Sequence, residues 1–182
     1  QPIPPPHRLT SPQRAGGRAK ARASDRKQTF AWLSLAVASP IQLGDDLGGG
    51  STLGAFIFQS APERYDLRTA ITPEKRDTWY ATRYRNEMTP GSTVYFWMAG
   101  EEDFRGLYGW GRLVTPPYLK PDWDGHGVDV IYKVKFGRPL LARTLREDPQ
   151  LSRMLILRAP QATNFLLSDE EAERLAMLVR ER

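Results

Sequence analysis

The sequence predicts an α+β fold in which a small, strongly curved β-sheet or barrel with peripheral helices follows a disordered N-terminal tail. Three observations lead to this prediction. Residues 1–29 are rich in Pro, Arg, Ala and Ser and show no apolar period. From residue 55 onward, short apolar or alternating segments are separated by turns that contain Pro and Gly. One of these segments, 105–114, is interrupted by three glycines, which in strands mark bends or close backbone approach.

The domain boundary is expected at a glycine-rich linker that ends near residue 53. Residues 1–53 are therefore interpreted as a basic and Gly-rich tail with its linker, and residues 54–182 as the folded domain. Residues 1–30 hold seven basic residues and one acidic residue, a net charge of +6, whereas the whole chain carries +5. The remaining 152 residues thus carry −1, so the folded part cannot rely on bulk attraction to phosphate. The tail is either a nucleic-acid arm or a solvated extension.

The cellular location is expected to be cytoplasmic. The chain contains no cysteine, which excludes a disulfide framework, a thiolate nucleophile and a cysteine-ligated zinc site. An apolar segment, 30–38, follows two basic residues and leaves export as an alternative, because it has some features of a signal peptide. That segment is too short to span a bilayer, and no membrane partner is expected.

The first half of the domain predicts two strands and one helix. Residues 55–59 form an apolar run that ends before Ser60 and a proline, as in a buried strand, and residues 64–71 fit a short helix. Residues 77–88 are ambiguous between irregular chain and a short helix. Residues 93–99 read as a strong strand, with Val, Phe and Met on one face and Tyr and Trp on the other.

The second half predicts more strands and a closing helix. After the glycine-interrupted strand, residues 128–136 alternate as in a half-buried antiparallel strand whose apolar side chains all face the core. Residues 140–157 suggest two short helical pieces broken at a proline, and residues 163–167 a last strand. Ser168 then caps the final helix, with Glu171 completing a capping box.

Catalytic chemistry has no obvious place in this sequence. The best metal candidates are Asp122, Asp124, His126 and Asp129 in one loop, but their spacing is not that of a calcium loop. An ordinary Asp/Gly turn between strands is the favoured interpretation. No G-x-S-x-G elbow or phosphate-binding glycine loop is present.

Aromatic side chains are abundant beside glycine and small polar residues. Rings supply stacking and cation–π attraction to a planar base, while amides and hydroxyls bond to its edge. The candidates for such a pocket are Ser60, Trp79, Tyr80, Tyr84, Tyr95, Trp97, Tyr108, Trp110, Arg158, Gln161, Thr163 and Asn164. We expect only about a third of them to contact a ligand, because most aromatic residues in a domain belong to the core.

Five segments in succession resemble the signature blocks of the EVE domain, and together they cover nearly all of residues 55–180. They are 58–67 (FQSAPERYDL), 79–86 (WYATRYRN), 88–100 (MTPGSTVYFWMAG), 106–111 (GLYGWG) and 158–165 (RAPQATNF). EVE domains belong to the PUA-like superfamily, with the YTH readers of methylated RNA and the domains that read modified cytosines in DNA. The resemblance therefore implies a PUA-like pseudo-barrel with a pocket for one base flipped out of its strand.

By position, the resemblance implies a set of ligand-binding residues and no cofactor. The set is Ser60, Trp79, Trp97, Met98, Ala99, Arg158, Gln161 and Thr163. Trp79 and Trp97 are expected to supply ring faces, although Trp97 fits a core position equally well. Ser60 and Gln161 are expected to bond to the base edge. Arg158 is expected to contact the ligand, a phosphate or an acid such as Asp66.

Two functions of different classes follow. The first is a non-catalytic module that recognises a modified base in DNA or RNA, a modified cytosine or a methylated base, acting alone or beside a nuclease or methyltransferase partner. The second is a metal-assisted hydrolase or processing enzyme built on the Asp122, Asp124 and His126 loop. The thin catalytic inventory favours the first.

Overall fold

The computed structural model describes residues 53–180, so the predictions for the tail and the apolar segment 30–38 lie outside the described residues. The strands are β1 (Ala55–Ser60), β2 (Arg76–Tyr80), β3 (Thr93–Met98), β4 (Gly106–Leu113), β5 (Tyr118–Lys120), β6 (Gly125–Leu141) and β7 (Asn164–Leu166). The α-helices are α1 (Leu67–Ala70), α2 (Ala142–Glu147), α3 (Leu155–Arg158) and α4 (Asp169–Arg180). Two 3₁₀ turns lie at Pro121–Trp123 and Leu151–Arg153.

All strands belong to one curled, mixed sheet that forms a half-barrel. Its order is β2-β6-β4-β3-β1-β7, and β5 pairs separately with the start of β6. The β1–β3 pair is parallel, whereas the other pairs are antiparallel. The predicted α+β fold with a small curved sheet and peripheral helices is confirmed.

Strand β3 shows why the sheet has apolar side chains on both faces. Val94, Phe96 and Met98 pack into one core, whereas Tyr95 and Trp97 pack into a second core on the opposite face. Successive side chains of a strand point to opposite faces, so the alternation in the sequence maps directly onto these two cores. The predicted assignment of faces is confirmed.

Strand β6 departs from the prediction that all its apolar residues face one core. Val128, Val130 and Tyr132 lie in the first core, but Val134 is exposed and Phe136 packs into the second core. The change of face coincides with register shifts between β4 and β6, which bend the long strand. Local alternation could not indicate where the strand bends.

The glycines of β4 permit close contact with β6. A Cβ atom added to Gly109 would overlap the backbone carbonyl oxygen of Val134, and the same holds at Gly111 for Ile131. Both positions lie beside shifts in register between neighbouring strands. The prediction that these glycines mark bends or close backbone approach is confirmed.

Strand β2 is an element that the sequence did not predict. The sequence left residues 77–88 ambiguous between irregular chain and a short helix. In the structure Arg76–Tyr80 is a strand that pairs antiparallel with β6. It forms one edge of the sheet, and most of its side chains are polar. Polar composition is common in edge strands and weakens the periodic signal. The chain from Ala81 onward is irregular until β3.

Asn164 connects the two open edges of the sheet, β7 and β2. Its side-chain oxygen accepts hydrogen bonds from the backbone N–H (2.8 Å) and hydroxyl (3.1 Å) of Thr82, and its amide nitrogen donates to the carbonyl of Tyr80 at 2.9 Å. The side chain is completely buried. Its hydrogen bonds therefore connect the two edges, which are not joined by backbone pairing.

The helices lie at the periphery, as predicted. The capping box is confirmed: the Ser168 hydroxyl accepts a hydrogen bond from the Glu171 N–H, and the Glu171 carboxylate accepts one from the Ser168 N–H. Helix α1 begins after Asp66, whose carboxylate accepts from the Arg68 N–H. Among the residues described, no helix is long and apolar enough to cross a membrane.

Candidate functional site

A cavity of about 510 Å³ opens beside the carboxyl ends of the parallel strands β1 and β3. This volume lies within the range of about 300–1,000 Å³ that is usual for small-ligand sites. The lining residues come from β1, β2 and four connecting segments: Gln59, Ser60, Ala61, Arg64, Tyr65, Thr78, Trp79, Tyr80, Ala99, Trp123, Gln161, Ala162 and Thr163.

Backbone and amide hydrogen bonds hold the cavity walls against the end of β1. The Gln59 N–H donates to the carbonyl of Thr163 at 2.8 Å, and the Ala99 N–H donates to the carbonyl of Ser60 at 2.8 Å. The Gln59 side-chain amide donates to the carbonyls of Pro160 (2.9 Å) and Ala162 (3.1 Å). The segment before β7 is thus attached to β1 by three bonds and forms a fixed wall.

The inner aromatic wall is the indole of Trp79, which is only 7% exposed. Its N–H donates to the hydroxyl of Tyr132 at 3.1 Å, and the Tyr65 ring packs edge-on against it at 5.6 Å between centroids. The hydroxyls of Tyr65 and Tyr132 lie 3.1 Å apart, and the Tyr65 hydroxyl donates to the carboxylate of Asp77. Because the Tyr65 hydroxyl hydrogen is used in the bond to Asp77, Tyr132 donates to Tyr65. A chain of hydrogen bonds therefore runs from the Trp79 indole through both phenols to the Asp77 carboxylate.

The pKa directions agree with this network. Burial, and then the hydrogen bond to Asp77, raise the pKa of Tyr65 far above its usual value. Burial raises the pKa of Tyr132 to about 12. Burial also acts to raise the pKa of Asp77, but hydrogen bonds from Tyr65, Lys75 and the Thr78 amide outweigh it and leave that pKa below its usual range. Near neutral pH both phenols are therefore protonated and the carboxylate is ionised.

The outer edge of the cavity carries a second aromatic pair. The rings of Tyr80 and Trp123 lie 4.3 Å apart between centroids at an interplanar angle of 31°. The ammonium nitrogen of Lys120 lies 4.7 Å from the Trp123 ring centroid, which is a cation–π contact. Tyr80 is 46% exposed, so this pair faces solvent whereas Trp79 does not.

Five of the eight residues predicted to bind ligand line this one cavity. They are Ser60, Trp79, Ala99, Gln161 and Thr163. The Ser60 hydroxyl donates to the carbonyl of Tyr65 at 2.9 Å, which leaves its oxygen free to accept. Contact between these residues and a base stays a prediction.

The other three predicted residues lie elsewhere. Trp97 is completely buried in the second core and Met98 in the first, so the expectation that Trp97 offers a ring face does not fit its position. Arg158 is exposed on α3, outside the cavity lining, and its Nε donates to the carbonyl of Arg153 at 2.8 Å. The suggested partner of Arg158, Asp66, pairs instead with Arg68.

The loop proposed for metal binding does not form a ligand cluster. No group of three or more His, Cys, Asp or Glu side chains within residues 53–180 is arranged to hold a metal ion. Asp129 accepts hydrogen bonds from the hydroxyls of Thr78 and Tyr118, each at 2.8 Å. The guanidinium of Arg85 donates to Nδ1 of His126 at 2.7 Å, so that nitrogen is occupied as an acceptor.

Sequence reasoning missed several lining residues. Gln59, Tyr65 and Thr78 were not predicted to bind ligand, and neither were Tyr80 and Trp123. Tyr80 was among the aromatic candidates, but Trp123 was considered only as part of an Asp/Gly turn. The tryptophan in this turn was the signal that could have identified Trp123 as a lining residue. A large aromatic side chain is unusual in a loop that serves only to connect strands.

The half-barrel, and the cavity at one end of its parallel strand pair, define this protein as a PUA-like domain. The chain belongs to the EVE domain family, whose model matches residues 55–178. The resemblance inferred from the five sequence blocks is thus confirmed.

Solved structures share this fold at low sequence identity. A hypothetical protein from Leishmania major superposes with a TM-score of 0.57 at 18% identity, covering 71% of this chain and 96% of that one. Human THYN1 in complex with 5-methylcytosine-containing DNA gives a TM-score of 0.54 at 18% identity, covering 69% and 96%. The DUF55 domain of human thymocyte nuclear protein 1 gives a TM-score of 0.55 at 17% identity, covering 68% of this chain and 97% of that one. No curated protein matches the sequence.

Proposed function

We propose that this EVE domain is a non-catalytic reader that holds one modified base of DNA, a modified cytosine, in the cavity beside β1 and β3. The observation that carries the proposal is the cavity itself, whose lining combines the buried indole of Trp79 with small polar side chains. The structure of a protein with the same fold, human THYN1, in complex with 5-methylcytosine-containing DNA supports the choice of ligand.

The cavity supplies the two interactions that a flipped base needs. Trp79 offers a fixed ring for stacking, which contributes about 1–3 kcal/mol per base in single-strand binding. Ser60 and Thr163 place hydroxyls beside it, where the edge of a base can bond. Unstacking a base from DNA costs a few kcal/mol, and these contacts offset that cost.

The composition of the lining supports binding rather than catalysis. Among residues 53–180, no His, Cys, Asp, Glu or Lys side chain lines the cavity. General acid–base chemistry at neutral pH relies mainly on those residue types. Tyr65 does line the cavity, but its raised pKa keeps it protonated, and its hydroxyl hydrogen is engaged in the bond to Asp77.

The test is binding of the full chain to DNA oligonucleotides that are identical except for one cytosine, which is unmodified, 5-methylated or 5-hydroxymethylated. Matched RNA oligonucleotides form a second set. We expect at least tenfold tighter binding to one modified DNA, which is about 1.4 kcal/mol. Equal affinity for all DNA forms would refute the proposal, and a preference confined to RNA would reassign the ligand class.

The Trp79→Ala variant tests whether the cavity is the site that distinguishes the modified base from the unmodified one. We expect this variant to lose the preference for the modified base, because the stacking face is gone. Trp110→Ala is the matched control, since Trp110 packs against the second core and does not line the cavity. Its preference is expected to equal that of the wild type. Both variants are first checked for folding by circular dichroism.

A further inference from the structure

We propose a second base-binding site at the outer edge of the cavity, where Tyr80 and Trp123 stack the base next to the flipped one in the same strand. This inference rests on the proposed function and specifies how the rest of the strand is held. Its ligand is a nucleotide base, recognised through its aromatic face rather than through its hydrogen-bonding edge.

The first argument is that this aromatic pair does not belong to either core. The two rings contact each other at 4.3 Å between centroids, yet neither residue packs into the two buried clusters. Tyr80 is 46% exposed, whereas most large aromatic residues of the domain are buried. Rings that are left partly exposed beside a cavity, outside both cores, offer a flat apolar surface on which a planar ligand can stack.

The second argument is the position of the pair relative to Trp79. Trp79 and Tyr80 are consecutive in β2, and successive side chains of a strand point to opposite faces. Both residues nevertheless line the cavity, Trp79 at its buried inner wall and Tyr80 at its exposed edge. A base placed against Trp79 leaves the adjacent nucleotide of its strand at this opening.

The third argument is charge. Lys120 lies over the Trp123 ring, Arg64 lines the cavity, and Arg85 is held at His126 in the strand that follows Trp123. Within residues 53–180 none of these three cations has a carboxylate oxygen within 4.0 Å, whereas six ion pairs form elsewhere. Cations without acidic partners, placed beside exposed rings, match a phosphate backbone with stacked bases.

Two acidic residues restrict the path of the strand. Asp122 and Asp124 flank Trp123 and are exposed. They repel phosphate, so we expect the phosphates to lie near Lys120 and Arg85 instead. The charges therefore favour one side of the opening for the sugar–phosphate backbone.

The test is a double-mutant cycle between protein and DNA. The full chain, as wild type and Trp123→Ala, is titrated with a single-stranded DNA carrying one modified cytosine, and with the same DNA made abasic at the 5′ or at the 3′ neighbour. We expect Trp123→Ala to weaken binding about 5- to 100-fold on intact DNA and to have almost no effect when the neighbour on one side is abasic. Trp123→Phe keeps a ring and is expected to stay within a few-fold of the wild type.

The outcomes separate the two proposals. If Trp123→Ala weakens binding to intact and abasic DNA equally on both sides, the second base site is refuted. If it removes the preference for the modified base without any coupling to the neighbours, Trp123 is a wall of the main cavity and the proposal is also overturned. If the wild type shows no modified-base preference, the proposed function fails, while the cycle still reports on neighbour stacking. Should Trp123→Ala fail to fold, Tyr80→Ala takes its place in the cycle.

Discussion

The indole N–H of Trp79 donates a 3.1 Å hydrogen bond to the hydroxyl of Tyr132, which holds the inner wall of the cavity in one orientation. Trp79 lies on edge strand β2 and Tyr132 on its neighbour β6. The bond continues through Tyr65 to the carboxylate of Asp77. A stacking surface is thus held by polar bonds beneath it, and not only by packing.

Tyr132→Phe tests this support. The substitution removes the acceptor of the indole N–H and the donor to Tyr65 while keeping the ring, so buried polar groups lose partners. We expect the free energy of unfolding to fall by about 1–3 kcal/mol, measured by urea denaturation. Tyr95→Phe is the control, because the Tyr95 hydroxyl has no hydrogen-bond partner in the described part of the chain. An equal loss in both variants would contradict the role of the bond.

Asp77 makes stability depend on pH in the acid range. Its folded-state pKa lies below the unfolded value of about 3.9, so the ionised form contributes stability above that value, which is lost as the pH falls through the folded pKa. We expect Asp77→Asn to be less stable than the wild type at neutral pH, with the difference shrinking below about pH 4. Urea denaturation across that range measures it.

Asp122→Asn is the matched control for this pH series, because Asp122 is exposed and makes no hydrogen bond or ion pair with the residues described. Its difference from the wild type is expected to stay near zero throughout. A constant deficit of Asp77→Asn from neutral to acid pH would show that the bond geometry, and not the charge, determines the effect.

Asn164→Ala tests the closure between β7 and β2. It removes a completely buried side chain and leaves the N–H of Thr82 and the carbonyl of Tyr80 without their partner, at a cost of about 1–3 kcal/mol in total. We expect faster amide hydrogen exchange at Thr82 and weaker binding of the modified base, because Tyr80 and Trp79 share this edge. Stability and exchange rates equal to those of the wild type would rule out the closing role.

Gly109→Ala tests the close approach of β4 and β6. The new methyl group would overlap the carbonyl oxygen of Val134, and such overpacking costs about 1–3 kcal/mol. Gly137→Ala is the control, since no atom lies within 4 Å of an added Cβ there. We expect the control to remain within about 0.5 kcal/mol of the wild type in thermal or urea unfolding. Equal effects at both positions would mean that the strands separate without cost.

Some features of this protein were predictable because they depend on residues close together in the sequence. The alternation in β3 predicted both faces of that strand, and the spacing of Ser168 and Glu171 predicted the cap of α4. Glycine spacing in β4 indicated close backbone approach before any partner strand was known. Each of these signals reflects local backbone geometry, which does not require knowledge of the distant chain.

The candidate site could not be predicted from local sequence alone. Trp79 and Trp97 both stand in apolar, aromatic surroundings, and the sequence by itself determined only that each ring is large enough to form a core or a pocket wall. The tertiary structure decided that Trp97 is core and that Trp79 lines the cavity, because β2 pairs with β6 at the sheet edge whereas β3 lies at the sheet centre. Which face of a strand meets a cavity is set by pairing between distant segments and by where the sheet curls, and neither is encoded in local spacing.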